Sequence, residues 1–136
     1  MSGAILALRT AVSERLRLDP GLGEAIGPDR IYERPPRGAC GPYLVLGDAE
    51  ARDRSSGDGA GCEIDLSLAL WGADAGSARA VLEAAGLVVR ALDGAELPLV
   101  GHRLVLLRWV STRLARDRAS DLPVVTVRLR ALTEPL

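Results

Sequence analysis

The sequence predicts an α+β fold: a two-layer sandwich in which a mixed, mainly antiparallel sheet carries helices on one face. Three observations lead there. Two segments repeat apolar residues at three-to-four spacing, and the other long segments alternate or run apolar as strands do. These segments come in the order α-β-β-α-β-β. The stretches between them are rich in Gly, Pro, Ser and Asp, which break regular structure.

The first helix follows Ser2, an expected N-cap, and places Ile5, Leu8, Val12 and Leu16 on one face, with Arg9, Ser13, Glu14 and Arg17 mostly off it. Asp19-Pro20-Gly21 ends it, and a short turn follows, anchored by Leu22 and Ile26. RIYERPPRGACGP (30–42) begins extended and breaks up into a loop. PYLVLGDAEARD (42–53) reads as a strand, apolar at its start and charged at its end. RSSGDGAG (54–61) has nothing to pack and is expected to be a flexible tip. GCEIDLSLALWG (61–72) alternates strictly: Cys62, Ile64, Leu66, Leu68 and Leu70 on one face, Glu63, Asp65, Ser67, Ala69 and Trp71 on the other. Together 42–72 predict a long hairpin. Asp74 or Ser77 caps a second helix whose stripe is Ala78, Val81, Leu82, Ala85, Val88, Val89 and Leu92, with Gly94 as the residue that ends it. GHRLVLLRWVSTRLARD (101–117) is a strand running out of the core, RASD (118–121) a turn, and PVVTVRLRALTE (123–134) a strand with Val125, Val127, Leu129 and Ala131 inward and Thr126, Arg128 and Arg130 outward.

With 136 residues, 48% of them hydrophobic, the chain suits one domain over 1–136 with a sizeable core. A formal net charge of −1 gives no general attraction to nucleic acid or anionic membrane. All 17 Lys-plus-Arg positions are Arg, and Asn, Gln and Phe are also absent; the lack of Lys, Asn and Phe is a bias of the kind a GC-rich genome produces. The lack of Lys excludes Schiff-base chemistry and a P-loop lysine. Cys40 and Cys62 lack metal or redox spacing and are expected as reduced thiols. Arg9 interrupts the apolar N-terminus too early for a signal-peptide core, and no run is long enough to span a bilayer, so an intracellular setting is expected.

The residues point to no catalytic set, and no cofactor is expected. His102 is the sole histidine, at a strand start, without ligand or triad partners in spacing. GDGAG (57–61) is not a phosphate loop and precedes a strand rather than a helix; DRSSGDG lacks EF-hand spacing. Trp71 and Trp109 read first as packing residues, and Trp71 either covers a sheet edge or anchors an interface. What remains is the polar sheet face. If the two alternating strands are neighbours, Glu63 and Asp65 face Arg128 and Arg130. These four are either a solvated face with surface ion pairs or a subunit interface. Two charged tips, Arg52, Asp53, Arg54 and Asp58 on one hairpin and Arg113, Arg116, Asp117 and Arg118 on the other, are solvated strand ends or partner-docking tips.

RIYERPPRGACGPYLVLGD, the strand ending LALWG, GHRLVLLRWVSTRLARD and VVTVRLRALTEPL, taken in order, resemble the small tail-completion or tail-terminator proteins of long-tailed bacteriophages. The similarity is greatest to versions in prophage-like clusters and gene transfer agents of alphaproteobacteria. It covers almost the entire chain and rests on element order and phrases such as PYLVLG, GHRLVLL and RALTE. The resemblance implies a structural protein without catalytic residues. It implies a homo-oligomeric ring, usually a hexamer, capping the head-proximal end of the tail tube. Its partners would be the major tail tube protein and the head connector or stopper, with DNA passing through the lumen without sequence-specific binding. Assembly would occur in the bacterial cytoplasm, away from membranes, and the product would be the neck or tail of a phage-like particle. The competing expectations are another head–tail connector component, such as a stopper, and a small intracellular ligand-binding domain.

Overall fold

The hydrophobic alternation of the long strands is resolved in a sheet of six strands, in the order β1-β2-β3-β6-β5-β4. The computed structural model describes residues 2–57 and 59–136, and Ser2 through its backbone alone, so the capping role expected of the Ser2 side chain lies outside the described residues. The elements are α1 (Ser2–Arg17), α2 (Pro20–Ile26), β1 (Ile31–Tyr32), β2 (Tyr43–Asp53), β3 (Cys62–Trp71), α3 (Ala78–Leu92), β4 (Pro98–Leu99), β5 (His102–Arg116) and β6 (Pro123–Pro135). The fold is α+β. The four long strands match the expected ones to within a residue or two at each end. Three short elements, α2, β1 and β4, enlarge the simpler order expected, and the sheet curls towards a half-barrel rather than lying as a flat layer.

The two long helices, α1 and α3, each bury a somewhat different face from the one their sequence suggests. On α1, Leu8, Val12 and Leu16 are buried as expected, but Ala4, Ala7 and Ala11 fill the rest of the contact and Ile5 is only half-buried. Three alanines let the helix axis approach the sheet closely. Ser13 is buried too, against expectation, where it meets the Arg17 guanidinium. On α3, Val81, Ala84, Ala85, Val88 and Leu92 are buried while Leu82 stays exposed. Gly94 ends the helix in the left-handed region at φ 75°, as its sequence position requires. Ser77 stands at the cap position without capping: its hydroxyl donates to the Asp74 carbonyl in the preceding turn.

The segment expected to be a turn after Asp19 is the helix α2. The residues that end α1 also start α2: Asp19 accepts from the N–H groups of Gly21 and Leu22, and Pro20 opens the first turn where its missing N–H costs nothing. Leu22 and Ile26, the expected anchors, are buried. β1 pairs with β2 in parallel, Ile31 opposite Leu44 and Tyr32 opposite Val45, and this one pairing makes the sheet mixed.

The remaining pairs are antiparallel. β3 lies at the centre, with Leu68 opposite Leu46 on one side and Val127 on the other. Ile64, Leu66, Leu68 and Leu70 of β3 and Val125, Val127, Leu129 and Ala131 of β6 are all buried, on the face against which the helices pack. A bulge in β2 sets Gly47 and Asp48 between the pairs Leu46–Leu68 and Ala49–Leu66. Glycine is needed there because a Cβ on Gly47 would stand 2.8 Å from the Ser67 carbonyl oxygen. From α1, Arg9 reaches this bulge and donates to the Gly47 carbonyl at 2.7 Å.

Candidate functional site

The open face of the sheet carries most of the candidate residues, and strand register decides which of them meet. Antiparallel partners share a face. Asp65 therefore stands between Glu50 on β2 and Arg130 on β6, Glu63 lies opposite Arg52, and Ser67 lies opposite Arg128. On β5, Arg108 lies opposite Arg130 and Arg113 opposite Thr126. Apart from Arg52 on β2 and the Arg103–Glu134 pair, the face is divided by sign: Asp48, Glu50, Glu63 and Asp65 on the β2–β3 side, Arg108, Arg113, Arg128 and Arg130 on the β5–β6 side.

Arg52 organises the acidic side. Its Nη2 donates to Glu63 Oε2 and to Asp65 Oδ2, both at 2.6 Å, and its Nη1 to Glu50 Oε1 at 3.2 Å. Asp65 also accepts from Arg130 Nε at 3.4 Å. The Arg52 bonds hold the Glu63 carboxyl below the usual carboxylate range. For Asp65 burial pushes upward, but the bonds and charges of Arg52 and Arg130 outweigh it and the net shift is also downward. The three carboxylates in turn raise the Arg52 guanidinium above its ordinary value.

The expected partnership of Glu63 and Asp65 with Arg128 and Arg130 is thus realised at one contact, Asp65–Arg130. The principal counter-ion is Arg52, a residue assigned from sequence to a docking tip. Register was the missing information: Arg52 and Glu63 are eleven positions apart, and only hairpin pairing makes them neighbours. Arg108, Asp48 and Glu50 belong to the same face and were not singled out from sequence. Among the described residues, Asp48, Arg108, Arg113 and Arg128 have no ion-pair partner. Asp48, Glu50, Asp65 and Arg128 line one open depression.

The two tips differ. In the first, Asp53 accepts from the N–H and hydroxyl of Ser55, Arg54 lies 3.8 Å from Glu63, and the Arg54 N–H donates to the Gly61 carbonyl; Asp58 lies outside the described residues. In the second, Arg116 donates to the carbonyls of Ala75 and Asp121, both at 2.9 Å, and Asp117 accepts from the Ser120 N–H and hydroxyl. Arg116 and Asp117 therefore hold the turn, whereas Arg113 and Arg118 project from it exposed.

Trp71 stacks on Tyr43 with ring centroids 6.3 Å apart, and Tyr43 meets Tyr32 edge-on at 5.8 Å. Its place is over the β1 side of the sheet. Trp109, by contrast, is 46% exposed on β5, its indole N–H bonded to the Thr112 hydroxyl. His102 Nδ1 lies 3.1 Å from the Val100 carbonyl oxygen, and both cysteines are free thiols. No described helix is long and apolar enough to cross a membrane.

Comparison with known proteins adds two findings. A family model described as tail completion protein gp17 matches residues 10–134. A chain in the solved virion of a native gene transfer agent particle is similar at 32% identity and a TM-score of 0.86, over 94% of this chain and 95% of that one. No curated protein matches.

Proposed function

This chain belongs to the tail completion protein gp17 family, and from that premise we propose that it is the tail terminator of a phage-like particle. Its role is structural and lies in a phage-type tail; the finer reading concerns where it sits and how it assembles. The chain, acting as one domain over 1–136, forms a hexameric ring at the head-proximal end of the tail tube. There it halts tube growth and joins the tube to the head connector. DNA passes through the lumen without sequence-specific contact, which suits a chain of net charge −1. Assembly takes place in the bacterial cytoplasm, before the ring becomes part of the particle's neck.

The observation that carries this reading is the near end-to-end similarity to a chain of a gene transfer agent virion. The divided sheet face supports it. A ring subunit must present two different patches, one to each neighbour, and opposite charge favours correct register over wrong partners. Arg128 and Arg130 form part of the cationic patch, while Glu63 and Asp65, held by Arg52, give the acidic patch a fixed shape. Arg113 and Arg118 on one tip, and Asp53 and Arg54 on the other, are exposed at strand ends suited to contact with tube or connector, and Asp58 is assigned to the same contact from its place in the sequence; Arg52 instead braces the acidic patch, and Arg116 and Asp117 shape their tip from within.

Deletion of the gene, with particles imaged by negative-stain electron microscopy, tests the proposal. Overlong tails that fail to join heads are expected. Normal particles would refute the terminator role, and detached tails of normal length would move the chain to the connector side of the joint.

A further inference from the structure

The sheet ends in two edges that are only half covered. On β5, β4 pairs at His102 and Arg103, and the α3–β4 connection then takes two more edge groups: the Leu107 carbonyl accepts from the Gly94 N–H, and the Trp109 N–H donates to Asp93 Oδ1 at 2.9 Å. Beyond Trp109, residues 110–116 pair with β6 on one side but have no strand on their outer edge among the described residues. On β2, β1 pairs at Leu44 and Val45, and the Gly47 carbonyl accepts from Arg9. Beyond it, residues 48–53, on the side away from β3, likewise have no strand beside them among the described residues. Unpaired N–H and C=O groups along a strand are a template for another strand. The β5 segment adds apolar surface, with Val110 and Leu114 each nearly half exposed.

Charge selects which edge each one fits. Pairing β5 with β5 of a second copy would set Arg108 and Arg113 against arginines, and pairing β2 with β2 would set Asp48 and Glu50 against carboxylates. Like charges opposite each other across strands are destabilising. Pairing β5 of one copy with β2 of the next sets Arg113 toward Asp48 and Glu50 on a shared open face. Direction agrees as well. β2 runs with β6 and against β5, so a sheet continued in its own plane places the next β2 antiparallel to β5. The free halves lie at opposite ends of the sheet, so the copies must be offset along the strands, which is the tilt any closed sheet requires.

We propose that the ring closes by strand addition: the open half of β5, residues 110–116, pairs antiparallel with the open half of β2, residues 48–53, of the adjacent copy. The interface is heterologous and repeats around the ring, with one edge of each kind used per subunit. This rests on the ring reading above and specifies the surfaces that form it.

Cysteine pairs placed in assembled particles test it. In a Cys40→Ala, Cys62→Ala background, Arg113→Cys is combined with Asp48→Cys or with Glu50→Cys. Particles are purified, mildly oxidised and run on a non-reducing gel. At least one pair is expected to give a ladder of covalent oligomers beyond the dimer, while each single cysteine stays monomeric. Dimers from Arg113→Cys alone would overturn the proposal in favour of a two-fold β5 contact. Double-cysteine chains that enter particles, as read by immunoblot, yet stay monomeric would overturn it and leave the ring reading standing. Absence of the unaltered chain from particles would remove the ring reading itself. Should the double-cysteine chains fail to enter particles, charge exchange decides: Arg113→Glu should lower the yield of joined particles at least tenfold, and adding Asp48→Arg should restore most of it. Failure of that rescue overturns the proposal.

Discussion

Leu68 on β3 and Leu114 on β5 are the same residue type on the same sheet face, and they should respond very differently to truncation. Leu68 is fully buried at the centre of the sheet, between Leu46 and Val127, whereas Leu114 is 45% exposed beside an open edge. Leu→Ala removes three carbons, about 2.4 kcal/mol of transfer free energy at about 0.8 kcal/mol per methylene. At Leu68 the neighbours on both flanking strands cannot close the gap, and the cavity raises the cost to about 3–4 kcal/mol. At Leu114 roughly half the transfer term is present and no enclosed cavity forms, so the cost is about 1 kcal/mol. Against a total stability of about 5–15 kcal/mol, only the first is a large loss. Urea titration of the purified chain reads both, and thermal melting should place Leu68→Ala about 10–15 °C below the parent. The reasoning is refuted if the two variants fall within about 0.5 kcal/mol of each other. Equality would mean either that Leu114 is covered in the isolated chain or that the centre of the sheet relaxes around a void.

Gly86→Ala, on the exposed side of α3 with no atom within 4 Å of the added Cβ, should raise stability by about 0.8–1 kcal/mol through helix propensity. Gly41→Ala should do the opposite, because its Cβ would stand 2.7 Å from the Gly72 carbonyl carbon, which is backbone and cannot swing aside; a fall in melting temperature checks this. Asp19→Ala should cost about 1 kcal/mol by uncapping α2, measured by urea titration. Arg52→Met should make the chain less stable at neutral pH but much less so in acid. Glu63 and Asp65 have folded values below their unfolded ones, so their stabilisation is complete above about pH 4 and fades as pH falls through the lowered values. Urea midpoints of parent and variant at pH 7 and pH 3 should therefore converge.

The sequence by itself determined the long elements and the faces of the inner strands. Alternation in 62–71 and 123–131 leaves one side polar and one apolar, and a sheet can bury only the apolar one. The two amphipathic helices were legible for the same reason, to within the exchange of Leu82 for Ala84 and of Ile5 for alanines, because a helical stripe is broad and the final contact depends on the angle at which the helix crosses the sheet. The family was legible in the order of segments.

Tertiary structure decided what spacing along the chain cannot encode. Two-residue strands such as β1 and β4 carry no periodicity of their own and exist only because a neighbour offers hydrogen bonds. The role of Arg52 depends on hairpin register, which a bulge at Gly47 and Asp48 shifts by a residue. The division of the open face into acidic and cationic halves follows from β3 pairing with β6 and β6 with β5, a strand order that local composition does not specify. Nor does local composition tell an edge strand from a central one: β5 and β6 are both apolar and both long, yet β6 is paired on both sides and β5 is left half open, since hydrogen-bond pairing is a property of neighbours and not of the strand itself.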